Sequence, residues 1–345
     1  MSSFSTTSDT LNEYRIAKPR LLHIDWLRGI AVLLMVMVHA AATWQPKTIS
    51  STSLLAYVVS GLGGLAAPLF VVLTGWGLSR SKLSSRRVIV RVVFFFIMQI
   101  ILNLSAPHLF DTFTPGVLTL FALLTLSAPL WKRLSNTSVI LIMLILLFIP
   151  SIIVNPGSWG DRVEVEGIEV FILHLFWTGT YPFVPWLIFA LLGHLIARKV
   201  DAPFFALMSA GFLLMIGSIR ISLSQQIAFA SPSGVGVLTF FPANTPFLIG
   251  AMLGVGLIWM CVENYCGNWQ PMSDLGQRSL TVYILHFIPF FFLHQLDESG
   301  GWSALTCGLV VFGYTLLWLP AMHYCAKHMA NLSFEKILQH YSAKR

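Results

Sequence analysis

Charge is what this chain has least of. Only 10 % of its 345 residues are Asp, Glu, Lys or Arg, against 56 % hydrophobic residues and a mean hydropathy of +0.77. A water-soluble fold could hardly sustain that balance. The acidic residues number fourteen against twenty-one Lys and Arg, for a net charge of +7. The four cysteines, Cys261, Cys266, Cys307 and Cys325, form no paired C-x-x-C framework, which argues against a disulfide scaffold or a zinc site. No internal repeat, low-complexity tract or Pro/Ser-rich linker divides the chain. No short apolar core with a small-residue cleavage site follows the polar start, so no cleaved leader is expected. The basic residues lie in short loops without a nucleic-acid module, and no nucleic-acid partner is expected.

What is abundant is apolar sequence in windows of about 20 residues, the length that crosses a bilayer. Such windows fall near 21–43, 54–79, 88–104, 116–130, 138–154, 182–197, 203–221, 242–262, 279–296 and 302–325. They predict an all-α, polytopic transmembrane bundle of about ten spans. Residues 21–326 form one membrane domain, between a polar tail at 1–20 and a basic tail at 327–345. Trp44, Trp131, Trp269 and Trp302 fall near span ends, where interfacial aromatic belts are expected. The stretch Val170–Thr178 is too short for a full crossing and reads as re-entrant or interfacial. With both termini cytoplasmic, all of the twenty-one Lys and Arg except Lys47, Arg162 and Arg220 fall on the inner side, and the acidic loop Asp161–Glu169 falls outside.

The first window is the unusual one, because LLHIDWLRGIAVLLMVMVHAAA holds three ionisable groups on one side. At ~100° per residue, Arg28 and His39 nearly eclipse and Asp25 lies about 40° from His39. The rise of ~1.5 Å per residue sets Arg28 about 16 Å from His39. A charge at mid-bilayer costs about 2.5 to 3.5 kcal/mol unless it faces a protein interior or a wet cavity, so this helix is expected to line one. Read alone, His39 is either a reactive imidazole or a satisfied core residue, and Asp25 with Arg28 is either a structural i, i+3 ion pair or part of a site. In the ninth window Ser279, Tyr283 and His286 share a helix face, as a cavity wall or as an interhelical hydrogen-bonding seam. His323, Cys325 and His328 lack a supporting acid, so no metal site is expected.

Two further classes fit intramembrane polar groups. A secondary transporter of a small polar solute would use Pro68, Pro185 and Pro246 to break its spans and would show inverted halves. A haem-bearing protein would need two His, among His39, His174, His194 and His286, at matching depths.

The segment IDWLRGIAVLLMVMVH, with Arg28 and His39 separated by ten residues, resembles the membrane acyltransferase superfamily that includes acyltransferase family three and the heparan-alpha-glucosaminide N-acetyltransferase catalytic-domain family. APLFVVLTGWGLSRSK (Ala67 to Lys82), YPFVPWLIFALLGHLIAR (Tyr181 to Arg198), FPANTPFLIGAMLGVGL (Phe241 to Leu257) and GQRSLTVYILHF (Gly276 to Phe287) are similar to later blocks of that group in the same order. The resemblance implies an integral membrane acyltransferase that moves an acyl group from cytoplasmic acyl-CoA, acetyl-CoA first among donors; the compact architecture and the lack of a cleaved targeting segment point to a bacterial inner membrane. The acceptor would be a hydroxyl or amine of a glycan, lipid-linked or small envelope molecule. It also implies His39 as base or nucleophile, supported by Asp25 and Arg28, with Arg28, Arg80 and Lys82 on the donor. Ser279, Tyr283 and His286 would line the substrate cavity.

Overall fold

A computed structural model of the chain describes residues 21–44, 53–82, 84–107, 109–152, 158–200, 204–293 and 301–343. The polar tail at 1–20, with Arg15, Lys18 and Arg20, lies outside the described residues, as do Lys47, Lys344 and Arg345.

All ten apolar windows fold as helix. α1 (Leu22–Thr43) is followed by α2 (Leu54–Gly63) and α3 (Ala66–Arg80), two pieces of one window joined through Gly64 and Leu65. α4 (Ser85–Ser105), α5 (Val117–Trp131) and α6 (Asn136–Ile152) come next. The short α7 (Gly160–Val163) and α8 (Ile168–Leu173) lead into a π-helical turn at His174–Thr178 and then α9 (Phe183–Ala197). After α10 (Phe204–Gln225), β1 (Ala228–Ser233) and β2 (Gly236–Phe241) form a small parallel pair in which Ala228 meets Gly236 and Ser233 meets Phe241. The chain ends in α11 (Thr245–Tyr265), α12 (Gln270–Gln277), α13 (Ser279–Leu285), α14 (Phe287–Leu293), α15 (Ala304–His328) and α16 (Phe334–Ala343).

Among the described residues, five helices are long and apolar enough to cross a membrane, α2 and α3 counting as one. Residues 168–178 and α9 form a pair bent by 45°, the shape of a broken span or a re-entrant loop, and would make a sixth. α5, α6 and the α13–α14 segment are apolar but shorter. Pro68, Pro185 and Pro246 sit in the first turns of α3, α9 and α11, where a missing N–H breaks no intrahelical bond, and Pro68 and Pro185 follow directly on the breaks that divide their spans.

The core gathers around α3 and α9, where Leu69, Val72, Trp186 and Phe189 are fully buried. That approach needs a glycine: a Cβ on Gly75 would collide with the backbone of Ala190. Gly276 does the same between α12 and α1, since a Cβ there would collide with the Asp25 carbonyl. Two of the four tryptophans assigned to an interfacial belt are core residues instead. Trp44 is 2 % exposed, packed edge-on to Phe290 and Tyr314, and Trp131 is 4 % exposed against His194. Trp269 is 49 % exposed.

Loop hydrogen bonds tie the polar residues into two separate groups. At the end where α3 finishes, Lys132 donates to the Ser81 carbonyl at 2.7 Å, and Arg198 donates to the Lys132 and Leu134 carbonyls and to Asn136, each at 2.8 Å. At the end where α1 finishes, Thr114 donates to the Val163 carbonyl at 2.5 Å and Trp159 to the Leu109 carbonyl at 3.2 Å. Arg162, fully buried, donates to the Thr178 carbonyl at 3.1 Å and so anchors the acidic loop on the π-turn. Burial lowers its pKa to about 10, with Asp161 acting in the other direction, so the guanidinium stays charged at neutral pH.

Candidate active site

One cavity of about 1540 Å³ runs along α1 and is walled by α2, α3, α4, α10, α11, α13, α16 and the strand pair. Arg28 and His39 both line it, so two of the three groups of the stripe read from the sequence are on a cavity wall. The two residues mark different regions, since about 16 Å of helix separates them.

Around Arg28 the cavity is polar. Arg87 and Arg91 on α4, Gln277, Ser279, and Glu335, Gln339 and Ser342 on α16 contribute to its lining. Asp25 is buried behind Arg28, its Oδ1 3.9 Å from Nη1 of Arg28, while Gln277 donates to its other oxygen at 3.3 Å. The carboxylate therefore orients Arg28 and does not itself line the cavity. The Nε of Arg91 and the Oγ of Ser342 are buried with no hydrogen-bond partner among the described residues. Two unmatched polar atoms at one mouth suit a polar ligand that would satisfy them. Arg80 and Lys82 do not line the cavity: Arg80 stacks over Trp76 at 4.9 Å, and Lys82 is exposed.

Around His39 the cavity is aromatic. Phe110, Trp159, Tyr181, Phe241, Tyr283 and Phe287 line this part, with Gln99 as a polar member. Trp159 is held by the Leu109 carbonyl and stands edge-on to Phe241 at 5.3 Å. Gln99 accepts from the Leu118 N–H at 3.1 Å and donates to Asn103 at 2.9 Å, which fixes its orientation and caps α5.

Two histidines meet at the edge of this cavity. Nδ1 of His39 lies 2.8 Å from Nε2 of His286, with the rings stacked at 5.0 Å and 9°. His286 is fully buried, and its Nδ1 lies 3.0 Å from the Val282 carbonyl, four residues back on the same helical segment. A carbonyl can only accept, so His286 Nδ1 carries a proton. For a pair of neutral imidazoles the rest follows: His286 Nε2 is the acceptor, His39 Nδ1 the donor, and the lone pair of His39 is left on Nε2. Tyr314 donates to the His286 carbonyl at 3.0 Å and Phe287 packs on both rings, which holds the pair in place.

Of the residues expected at the site, the structure brings His39, Arg28, Ser279 and Tyr283 to the cavity wall, places Asp25 and His286 directly behind it, and leaves Arg80 and Lys82 outside its lining. Sequence reasoning passed over Gln99, Trp159, Tyr181 and Glu335, and it placed Arg80 and Lys82 ahead of the other basic residues up to Arg91 as donor contacts. Gln99 was within reach of the same argument that found His39, as a lone amide in the apolar run FFFIMQIIL. The 2.8 Å between the paired nitrogens is shorter than the ~4 Å that two metal–nitrogen bonds of about 2 Å would need, so this pair cannot sandwich a haem iron. His323 is engaged with Asp274 at 2.7 Å, and Gln270 donates to the other carboxylate oxygen.

A helical membrane bundle whose half-buried histidine faces a cavity with one basic and one aromatic region has the parts of a membrane-embedded group-transfer enzyme. The chain belongs to acyltransferase family 3: the family model for its acyltransferase domain matches residues 21–322. No curated protein matches the chain. With the apolar helices, this membership makes it an integral membrane acyltransferase.

Proposed function

We propose that this protein takes an acyl group, acetyl first, from cytoplasmic acyl-CoA and passes it to a hydroxyl or amine of an acceptor reached from the other face, a glycan or another envelope molecule. The bacterial inner membrane is the setting proposed, with both termini inside and about ten helical segments packed across or into the bilayer. The observation that carries the reading is the His286-backed His39, set between a basic mouth and an aromatic chamber in one continuous cavity.

The donor's phosphates belong at the basic mouth, where Arg28, Arg87 and Arg91 supply charge-assisted hydrogen bonds. We therefore assign the donor contacts to these three and leave Arg80 and Lys82 to topology. Arg28 is too far from His39 to act on the same atom, so its part is holding the donor while the thioester extends toward His39. The acceptor lies in the aromatic chamber, with its O–H or N–H directed at Nε2 of His39. As the acceptor atom attacks the thioester carbonyl, Nε2 takes its proton and the new ester or amide bond forms. The C–S bond then breaks, and the imidazolium returns that proton to the departing thiolate. His286 accepts from Nδ1 throughout, which fixes the ring and keeps the lone pair on Nε2.

The test is to supply radiolabelled acetyl-CoA to inside-out vesicles containing the protein, together with a cell-envelope extract, and to identify any labelled product. Label in an envelope component, dependent on the protein, supports the reading. Uptake of a solute without any covalent product would transfer the protein to the transporter class.

A further inference from the structure

α16 lies beyond residue 322, where the family match ends, and the sequence reading treated it as part of a basic tail. Its side chains instead help to close the cavity. Glu335, Leu338, Gln339 and Ser342 all line it, and the helix packs against both α4 and α13.

The contact with α13 is a clasp built on one carboxylate. The first N–H groups of a helix have no partner inside it. Here Oε1 of Glu335 accepts from the Leu280 N–H at 2.6 Å and from the Thr281 N–H at 3.2 Å. Oε2 accepts from the Thr281 hydroxyl at 2.6 Å, and that hydroxyl in turn accepts from the Phe334 N–H at 2.9 Å. The acid is correctly signed for the N-terminal end of a helix. The rest of α13 is part of the active site: Tyr283 lines the cavity, and Val282 supplies the carbonyl that fixes the proton on His286. Thr281 and His286 are five residues apart, about 7.5 Å of rigid helix. His286 directly follows the last residue of α13, so the placing of α13 sets where His286 meets His39, 2.8 Å away.

We infer that Glu335 is a positioning residue of the reaction, locking α13 so that His286 holds His39 with its lone pair toward the acceptor. The inference rests on the proposed role of the histidine pair, and extends it to an element outside the matched domain.

The experiment uses the full-length protein in liposomes with radiolabelled acetyl-CoA and a cell-envelope extract, comparing Glu335→Ala, Glu335→Gln and Thr281→Val, with melting temperatures measured alongside. Turnover in Glu335→Ala should fall about 10²-fold, the size of effect a ~1 Å misplacement produces, with KM for acetyl-CoA changed by less than about threefold and melting nearly unchanged. Glu335→Gln still offers an oxygen to the two N–H groups and should recover most of that loss, while Thr281→Val falls between. Equal turnover in every variant, or losses that follow melting in all three, would overturn the inference. A second readout needs no turnover: ¹⁵N spectra of the labelled histidines should lose the hydrogen-bonded His39–His286 pair in Glu335→Ala and keep it in Glu335→Gln. A pair unchanged in Glu335→Ala overturns the inference on its own, whereas failure of the unaltered protein to transfer acetyl counts against the proposed function alone.

Discussion

His39 acquires its chemical character from a partner 247 residues away in the chain. An isolated imidazole on an apolar helix can adopt either of two tautomers. Here the Val282 carbonyl removes the choice for His286, and His286 removes it for His39. Replacing His286 by Leu should therefore lower transfer about 10²-fold, because the orientation of the base is lost while the base remains. His286→Gln keeps an acceptor oxygen for Nδ1 of His39 and should lose less. Transfer assays of the two variants at equal protein levels check this, and a Leu variant as active as the unaltered protein would make the pair a packing feature. Half of this arrangement was legible in the sequence. The Arg28–His39 stripe follows from helical period and the cost of charge in lipid, and both residues do line the cavity. The face shared by Ser279, Tyr283 and His286 was equally legible, and both of its readings hold in part, since Ser279 and Tyr283 wall the cavity while His286 forms the interhelical bond. That His286 would meet His39 was not legible, since nothing local in either segment encodes a contact between them.

At the scale of elements, helix positions were read well because each window is long and uniformly apolar. The function of the loops and helix ends was read less well. Arg80 and Lys82 looked like donor contacts because they directly follow the second window. The chain turns between α3 and α4 so that Arg80 folds onto Trp76 and the cavity instead receives Arg87 and Arg91, one turn apart on α4. Trp44 and Trp131 looked interfacial for a related reason: position near a span end does not reveal which way the ring points. The donor contacts proposed at Arg87 and Arg91 make a separate prediction. Arg87→Ala with Arg91→Ala should raise KM for acetyl-CoA with a smaller change in turnover, because phosphate contacts distant from the reacting carbonyl contribute nearly uniform binding. Arg80→Ala with Lys82→Ala should leave both parameters near their original values. Steady-state kinetics with acetyl-CoA as the varied substrate distinguish the two double variants, and the opposite ranking would return the donor to Arg80 and Lys82.

For the whole molecule, the hydrogen bonds collect the loops after α3, α5 and α9 at one end and the acidic segment 161–169 at the other. The positive-inside rule then predicts that the basic end faces the cytoplasm, where acyl-CoA is present. In a variant lacking the native thiols, an impermeant reagent applied to intact cells should label a cysteine placed at Glu164 and miss one placed at Arg86. Labelling of Arg86→Cys alone would invert the orientation and move the donor mouth to the wrong side. The separation of the basic loops from the acidic segment was legible in the charge pattern, but the cavity that joins the two ends depends on packing among α1, α4, α11, α13 and α16, elements far apart in the chain.

The central claim is that Nε2 of His39 moves the proton during acyl transfer, and His39→Gln tests it most directly. Glutamine keeps much of the volume and can still donate a hydrogen bond to His286, but it cannot take up and return a proton. Acetyl transfer and melting temperature should be measured on the same purified, detergent-solubilised sample. The account predicts melting close to that of the unaltered protein and transfer reduced by about 10² to 10⁴-fold. Normal melting with near-normal transfer would contradict it.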